Sequence, residues 1–222
     1  MTTYKLKDID ILEIEDLIVE VEKSFGITFV SNELAHVKTF GEFCNYIENK
    51  IELENSESCT NQQAFYKLRE AISTSLLFDE KLISPSFPLS QVFPRKNRRS
   101  KIKKLENHLG IELKVLQAPN WITITLLIML LVSIVAVFFS GRIGIAGIVF
   151  CIGSLWLFNK FSKELNLKTV GEVAEKMTRE NYIKSRRNPN TFNRKEIEKV
   201  LTEWFSVKFD LEKSELTKEA EF

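Results

Sequence analysis

The chain repeats one pattern, VEKSFGI (residues 21–27) followed by KTFGE (residues 38–42), as LENHLGI (residues 105–111) followed by KTVGE (residues 168–172). In the first copy a short loop separates the two segments, whereas in the second copy the gap contains a long, strongly apolar stretch. The repetition predicts two similar helical units. The apolar insertion predicts where the chain is anchored.

The composition does not point to a catalytic or nucleic-acid-binding protein. The 222 residues include 31 Lys and Arg against 30 Asp and Glu, so no overall charge attracts a polyanion. The cysteines Cys44, Cys59 and Cys151 are scattered, without a CxxC pair or a histidine cluster, which predicts reduced thiols and no metal site. The chain also lacks a glycine-rich phosphate loop, an HExxH motif and a serine elbow. We therefore expect no enzymatic activity, no catalytic residue and no cofactor.

Two apolar runs in the middle of the chain predict a membrane hairpin. No charged residue occurs from Trp121 to Ser140, and a second uncharged run extends from Ile143 to Phe158. A helix of about 20 apolar residues spans ~30 Å, the thickness of a bilayer core. Residues 121–160 are therefore expected to form a transmembrane helical hairpin. A hairpin that is buried in a soluble core is the alternative.

Basic residues flank this hairpin. They precede it at Arg95, Lys96, Arg98, Arg99, Lys101, Lys103 and Lys104 and follow it at Lys160 and Lys163, whereas the turn carries only Arg142. Cationic flanks stay in the cytoplasm, so both termini are expected on the cytoplasmic side of a bacterial-type inner membrane. The basic run also suits anionic membrane lipid or an acidic protein partner. Nucleic acid is disfavoured as a partner because no aromatic residues alternate with the charges.

Apolar spacing predicts a helix on each side of the first repeated loop. Apolar residues recur at three- and four-residue steps at Ile9, Ile11, Leu12, Ile14, Leu17, Ile18, Val21 and Phe25. This is the stripe of an amphipathic helix, which Gly26 ends. A second such helix contains Phe40, Phe43 and Ile47, with Thr39 as its N-cap. A helix ending in Phe-Gly-Ile and a helix beginning Lys-Thr-Phe-Gly-Glu-Phe together resemble the second and fourth helices of acyl carrier proteins.

The resemblance to acyl carrier proteins implies a four-helix bundle, in which family members carry a phosphopantetheine arm on a serine at the start of helix two. In this chain the place of that serine falls at Ile11, within Asp10-Ile11-Leu12, and in the second copy near Arg95. Neither side chain has the hydroxyl to which the arm is attached. The resemblance therefore implies a mainly α protein with two degenerate bundles that lack the carrier chemistry.

The resemblance also predicts how the units are assembled. The loop between helices two and three of the family lies on the surface, where an inserted hairpin is tolerated. The first copy lacks a helix one, and the run around Trp204 resembles that helix, so the first bundle is expected to be circularly permuted and completed by the C-terminal helix. The predicted units are residues 1–55 with 192–222, residues 60–118 with 161–180, the hairpin at 121–160 and a linker at 181–191. Exchange of the C-terminal helix between protomers, giving a homo-oligomer, is the alternative.

Charged helix faces are the candidate binding sites for a protein partner. In the family, an acidic helix two is the surface that basic enzyme patches contact. The first copy keeps this acidic face, and the second copy has a basic one. The candidate partner-binding residues are Glu13, Glu15, Asp16, Glu20, Glu22, Arg95, Arg98 and Arg99. A solvated charged face is the alternative interpretation.

The absent serines, the helical repeats and the hairpin favour a non-enzymatic, membrane-anchored protein that binds or scaffolds a protein partner. An immunity protein that neutralises a toxin would be one such protein. The alternative is an auxiliary component that docks enzymes of lipid or acyl-chain metabolism without carrying the acyl group. A third hypothesis is an enzyme whose active site forms only on oligomerisation.

Overall fold

The computed structural model describes residues 6–222, apart from the side chain of Asn159. Residues 1–5, which the sequence assigns to the first unit, lie outside the described residues. Helices dominate the described chain, which confirms the mainly α class. The α-helices are α1 (Ile11–Phe25), α2 (Phe40–Lys50), α3 (Thr60–Leu76), α4 (Leu89–Val92), α5 (Arg98–Leu109), α6 (Asn120–Phe139), α7 (Gly141–Phe161), α8 (Val170–Glu180), α9 (Tyr182–Ser185) and α10 (Ile197–Phe209). Short strands β1 (Glu54–Asn55) and β4 (Thr191–Phe192) pair in parallel, and β2 (Leu116–Gln117) pairs antiparallel with β3 (Glu164–Leu165).

Local signals determine where the repeated helices begin and end. α1 begins after Asp10, whose carboxylate accepts a backbone hydrogen bond from the first turn at 3.0 Å. It ends at Gly26, and α5 ends at Gly110 in the same left-handed conformation, with φ of 65° and 64°. Thr39 caps α2 and forms a capping box with Glu42. These ends follow from residue types that favour them.

Two apolar cores form among the described residues. The first lies between α1, α2 and α10, with Leu17, Phe43 and Phe205 buried in it. The second lies between α3, α5 and α8, with Leu68 and Leu105 buried in it. Because α10 comes from the C-terminal part of the chain, the first core joins distant ends of the sequence. The second core joins segments that lie on either side of the hairpin.

Backbone hydrogen bonds tie the C-terminal segment to the start of α2. The N–H of Phe40 donates to the Ala220 carbonyl at 2.8 Å, and the N–H of Gly41 donates to the Lys218 carbonyl at 3.0 Å. The first N–H groups of a helix have no intrahelical partners, and here the extended segment supplies acceptors for them. A Cβ at position 41 would lie 2.8 Å from the Lys218 carbonyl oxygen, so this close approach requires glycine.

The second core is closed in the same way at the start of α8. The N–H of Gly171 donates to the Pro85 carbonyl at 2.7 Å, and a Cβ at position 171 would lie 2.9 Å from that oxygen. The helices before the two crossing segments also end alike, since Leu77 after α3 and Asp210 after α10 have φ of 58° and 54°. The C-terminal segment around residues 218–220 thus contacts the start of α2 in the same way that residues 85–87, before α4, contact the start of α8.

The hairpin helices α6 and α7 are both long and apolar enough to cross a membrane. Their mean hydropathies are 2.9 over Asn120–Phe139 and 1.8 over Gly141–Phe158, and most of their side chains are exposed. The two helices pack against each other, and a Cβ at Gly144 would overlap the Val137 backbone. Small residues of this kind allow helices to approach closely where lipid surrounds them.

Residues 181–191, which the sequence predicts to be a linker, are built into the junction between the two cores. α9 lies in this segment, and both Tyr182 and Arg186 are buried. The Tyr182 N–H donates to the Ser24 hydroxyl at 2.8 Å, and that hydroxyl donates to the Arg179 carbonyl at 2.5 Å. The segment differs from a solvated linker because the Tyr182 ring packs beside Phe25 and the Arg186 guanidinium donates to the buried Thr60 hydroxyl.

We expect Gly41→Val to detach the C-terminal segment from α2. The added side chain would overlap the Lys218 backbone, and overpacking of this kind costs roughly 1–3 kcal/mol. Hydrogen exchange of the Phe40 amide, which donates to the Ala220 carbonyl, should accelerate at least about tenfold. Gly153→Val is the control, since no atom lies within 4 Å of a Cβ there. Unchanged exchange of Phe40 in the Gly41 variant would contradict this closure.

Candidate functional site

α1 carries exposed apolar surface although it packs in a core. Its inner face buries Leu17 and Phe25. On its outer side, Ile11 and Leu12 in the first turn are 69% and 65% exposed, and Val30 in the loop that follows is 74% exposed. Clustered apolar exposure of this kind marks an interaction surface.

Three of the predicted acidic residues lie on the same turns of α1. Glu13, Glu15 and Asp16 are exposed, and none of them has an ion-pair partner among residues 6–222. Unpaired carboxylates at the edge of an apolar surface favour a cationic partner. The structure therefore places these three residues where a partner could reach them.

The other two acidic residues of α1 contact the protein itself. Glu20 pairs with Lys208 of α10 at 2.9 Å, and Glu22 accepts the Phe29 N–H. In the second copy Glu106 likewise accepts a backbone N–H of the following loop, at 2.8 Å. The carboxylate at this repeated position holds the loop after the helix.

An apolar groove runs between α1 and the loop formed by residues 26–39. Its volume is about 440 Å³, within the range of small-ligand pockets, and its carboxylates are Glu15 and Glu33. Its apolar lining includes Ile11, Ile14, Ile18, Phe29, Val30 and Leu34. The groove therefore extends the exposed apolar surface of α1 into a concave site.

Glu33 holds the outer loop of this groove in place. Its carboxylate accepts hydrogen bonds from the Tyr46 hydroxyl at 2.5 Å and from the Val30 N–H at 2.6 Å, and it pairs with Lys50. The Lys50 ammonium also lies 5.3 Å from the centre of the Phe29 ring. Lys50 first, then Tyr46 and Val30, lower the pKa of Glu33 from 4.5 to about 2 by donating to the ionised form. The loop is therefore ordered around an ionised carboxylate.

The two positions that the resemblance to acyl carrier proteins assigns to the serine each lie at the start of a helical segment. Ile11 is the first residue of α1, and Arg95 begins a 3₁₀ turn directly before α5. Arg95 is exposed and forms an ion pair with Glu164 at 2.7 Å. Neither position offers an oxygen for covalent attachment.

Among the basic candidates, Arg98 is part of the fold. It is only 7% exposed, and its guanidinium donates to the carbonyl of Phe93 at 2.8 Å and to that of Lys163. Arg99 beside it donates to the Ser162 carbonyl at 2.8 Å. Since residues 162 and 163 follow α7 directly, the two arginines hold the base of the hairpin against the second core. A buried guanidinium is not available to a partner, so Arg98 has a structural role here.

A second buried arginine, Arg186, organises the polar junction between the cores. Its guanidinium donates five hydrogen bonds of 2.5–3.3 Å to Ser56, Ser58, Thr60 and Thr191. Glu196 accepts the backbone N–H of Thr60 at the start of α3. The sequence marks Arg186 only as part of a basic loop with a contact or hinge role, and no local signal predicts its burial, because most of its hydrogen-bond partners come from a distant segment.

Within residues 6–222, no three His, Cys, Asp or Glu side chains come together as metal ligands. Burial raises the pKa of the Cys44 thiol to about 12, which keeps it protonated and unreactive. The candidate site is the α1 surface, formed by Ile11, Leu12, Glu13, Glu15 and Asp16, together with its groove, because exposed apolar side chains lie there beside exposed carboxylates.

Comparisons of the chain with protein-family models, with curated proteins and with solved structures find no match. The resemblance to acyl carrier proteins stays a prediction from the sequence motifs. The function is therefore inferred from the surfaces described above.

Acidification is expected to loosen the loop over the groove. Because the folded state lowers the pKa of Glu33, its contribution to stability is fully present above pH 4.5 and is lost as the pH falls toward about 2. The NMR shift of the Val30 amide should follow this titration. Glu33→Gln should abolish the titration, whereas Glu52→Gln, at an exposed acid outside the groove, should leave it intact. A Glu33 carboxyl that titrates near pH 4.5 would contradict the described contacts.

Proposed function

We propose that the chain is a non-enzymatic, membrane-anchored protein that binds a protein partner on the α1 surface and its groove. The hairpin supplies the anchor in a bacterial-type inner membrane, with both termini on the cytoplasmic side. The two helical units are degenerate acyl-carrier-like bundles that carry no cofactor. Their function is then to present binding surfaces at the membrane.

The proposal rests on one observation, the exposed apolar surface of α1 beside carboxylates that have no ion-pair partner among residues 6–222. Ile11 and Leu12 are exposed next to Glu13, Glu15 and Asp16. Covering apolar surface contributes about 25 cal/mol for each Å² removed from water. The carboxylates favour a cationic partner and disfavour an acidic one. An apolar centre with a charged rim is the general anatomy of a protein interface.

An immunity protein that neutralises a toxin is one concrete form of this proposal. Such a protein requires a binding surface and a location at the membrane, but no catalytic group. The loop that Glu33 holds in place supports tight binding, because an ordered surface loses little conformational entropy when the partner binds.

The alternative is an auxiliary protein that docks enzymes of lipid or acyl-chain metabolism. The groove at Ile11 favours it, because an apolar groove of about 440 Å³ accepts a short alkyl chain. The partner would then be an acyl-processing enzyme with a basic surface. Exchange of α10 between two protomers would present two such grooves in one assembly.

Photocrosslinking tests the proposed surface. A photoreactive amino acid replaces Leu12 in the full chain, in membranes of the native host, and the conjugate is identified by mass spectrometry. We expect one stoichiometric partner with a basic surface. Replacing Glu13, Glu15 and Asp16 together by Lys should lower the yield at least about tenfold, because the rim then repels that partner.

The matched control replaces Glu52, Glu175 and Glu219 by Lys, at exposed acids outside the α1 surface. An undiminished conjugate in the α1 variant, or an equal loss in the control, would contradict the proposal. A toxin as partner supports the immunity protein, and an acyl-processing enzyme supports the alternative. An added phosphopantetheine mass on the purified chain would contradict the absence of a cofactor.

A further inference from the structure

A second groove lies at the base of the hairpin. It runs between α5 and residues 110–116, the segment that leads into α6, and its volume is about 940 Å³. Its floor contains Ile102, Ile111, Val115 and Leu116, and its cationic residues are Arg99, Lys103 and Lys114. The groove therefore combines an apolar floor with three positive charges.

Arg99 places one end of this groove where the hairpin ends. Its Nε donates to the Ser162 carbonyl at 2.8 Å, and its guanidinium lies 5.9 Å from the centre of the Phe161 ring, at the last residue of α7. Leu116 at the other end of the groove pairs with Leu165 across β2 and β3. The groove is thus continuous with the segments that enter and leave the hairpin.

Aromatic side chains mark the same end of the hairpin. Trp121 near the start of α6 and Trp156 and Phe161 near the end of α7 are all exposed. The Lys160 ammonium lies 4.7 Å from the Trp156 ring. Exposed Trp with basic neighbours is the pattern of a membrane–water interface. The groove therefore lies at the depth of the lipid head groups if the hairpin spans a bilayer.

Positive charge exceeds negative charge around the groove. Glu106 is occupied by a backbone N–H at 2.8 Å, Glu164 is paired with Arg95 at 2.7 Å, and Glu112 is an exposed opposing charge. Among the residues that line the groove, Arg99, Lys103 and Lys114 are cationic, against the carboxylates of Glu106 and Glu112. Guanidinium and ammonium groups both suit phosphate oxygens.

We propose that this groove binds an anionic phospholipid. Arg99, Lys103 and Lys114 contact the phosphate, and the acyl chains lie along the apolar surface of the hairpin beyond Phe161. A lipid matches the groove better than a free phosphate because Arg99 in the groove lies beside the exposed ring of Phe161, where the apolar surface of the hairpin begins. The inference rests on the membrane placement in the proposed function, but it does not depend on the α1 surface.

Native mass spectrometry of the full chain in detergent tests this site. The protein is titrated separately with phosphatidylglycerol and with phosphatidylcholine. We expect phosphatidylglycerol to bind at least about tenfold more tightly, because each cation near an anionic head group strengthens binding several-fold. Lys103→Gln combined with Lys114→Gln should remove this preference. Lys23→Gln combined with Lys199→Gln, at exposed lysines of α1 and α10, should retain the preference for phosphatidylglycerol.

Equal affinities for the two lipids would overturn the proposal, as would a groove variant that keeps the full preference. Glycerol phosphate is the third ligand. If it displaced phosphatidylglycerol at equal concentration, the groove would be a site for a free phosphate ester, and the lipid assignment would be overturned.

Failure of this site can be separated from failure of the proposed function. Alkaline carbonate extraction tests whether the full chain is integral to the membrane, and the crosslink at position 12 tests the partner surface. The groove variant should change neither result while losing the lipid preference. A groove variant that loses the crosslink would overturn the assignment of Lys103 and Lys114 to lipid.

Discussion

The two cores depend on one interaction, in which an extended segment supplies backbone carbonyls to the N-terminus of a helix. Lys218 and Ala220 do so for α2, and Pro85 and Phe87 do so for α8. Unpaired N–H groups at these helix ends would be costly to bury, so the crossing segments have to be present for each core to close. In the first core the crossing segment follows α10 in the chain, and the Phe205 ring of α10 packs against Phe40 and Phe43 of α2, with ring centres 5.2 and 5.7 Å apart. These backbone acceptors matter more for closing a core than the order in which its helices follow one another in the chain. The first core therefore forms although α1 and α2 come from the N-terminal part of the chain and α10 from the C-terminal part.

Closure of the second core also fixes the two ends of the hairpin in place. Because α8 follows α7 in the chain, the second core forms only when the segments before and after the hairpin return to one place. The pairing of β2 with β3 contributes to this, and so do Arg98 and Arg99, which donate to the Lys163 and Ser162 carbonyls. A buried guanidinium that lost its acceptors would be strongly destabilising. The hairpin is therefore attached to the second core at both of its ends rather than through a solvated tether.

Charge is distributed unequally between the two units. The first unit exposes carboxylates on α1, and the second exposes cations on α5. The junction around Arg186 joins the units through hydrogen bonds to both sides, so the two charged surfaces belong to one connected structure. This arrangement suits the proposed division of roles, in which one unit meets a protein partner and the other meets the membrane surface.

The helices, their ends and the apolar hairpin could be predicted from the sequence because their signals are local. Amphipathic spacing, Gly26 and the Thr39 cap each act within a few residues of the positions they control. The roles of Arg98 and Arg186 were not predictable, because basic side chains are ordinarily solvated and the acceptors that make their burial favourable come largely from distant segments. The groove beside α1 likewise depends on the contacts by which Glu33 holds the loop of residues 26–39, and no local sequence pattern predicts these contacts. The sequence by itself thus determined the repeated helices, their caps and the apolar hairpin, although it assigned α9 to a linker. The tertiary structure alone decided which charged side chains are buried and which stay available to a partner, because burial and pairing depend on segments that are far apart in the chain.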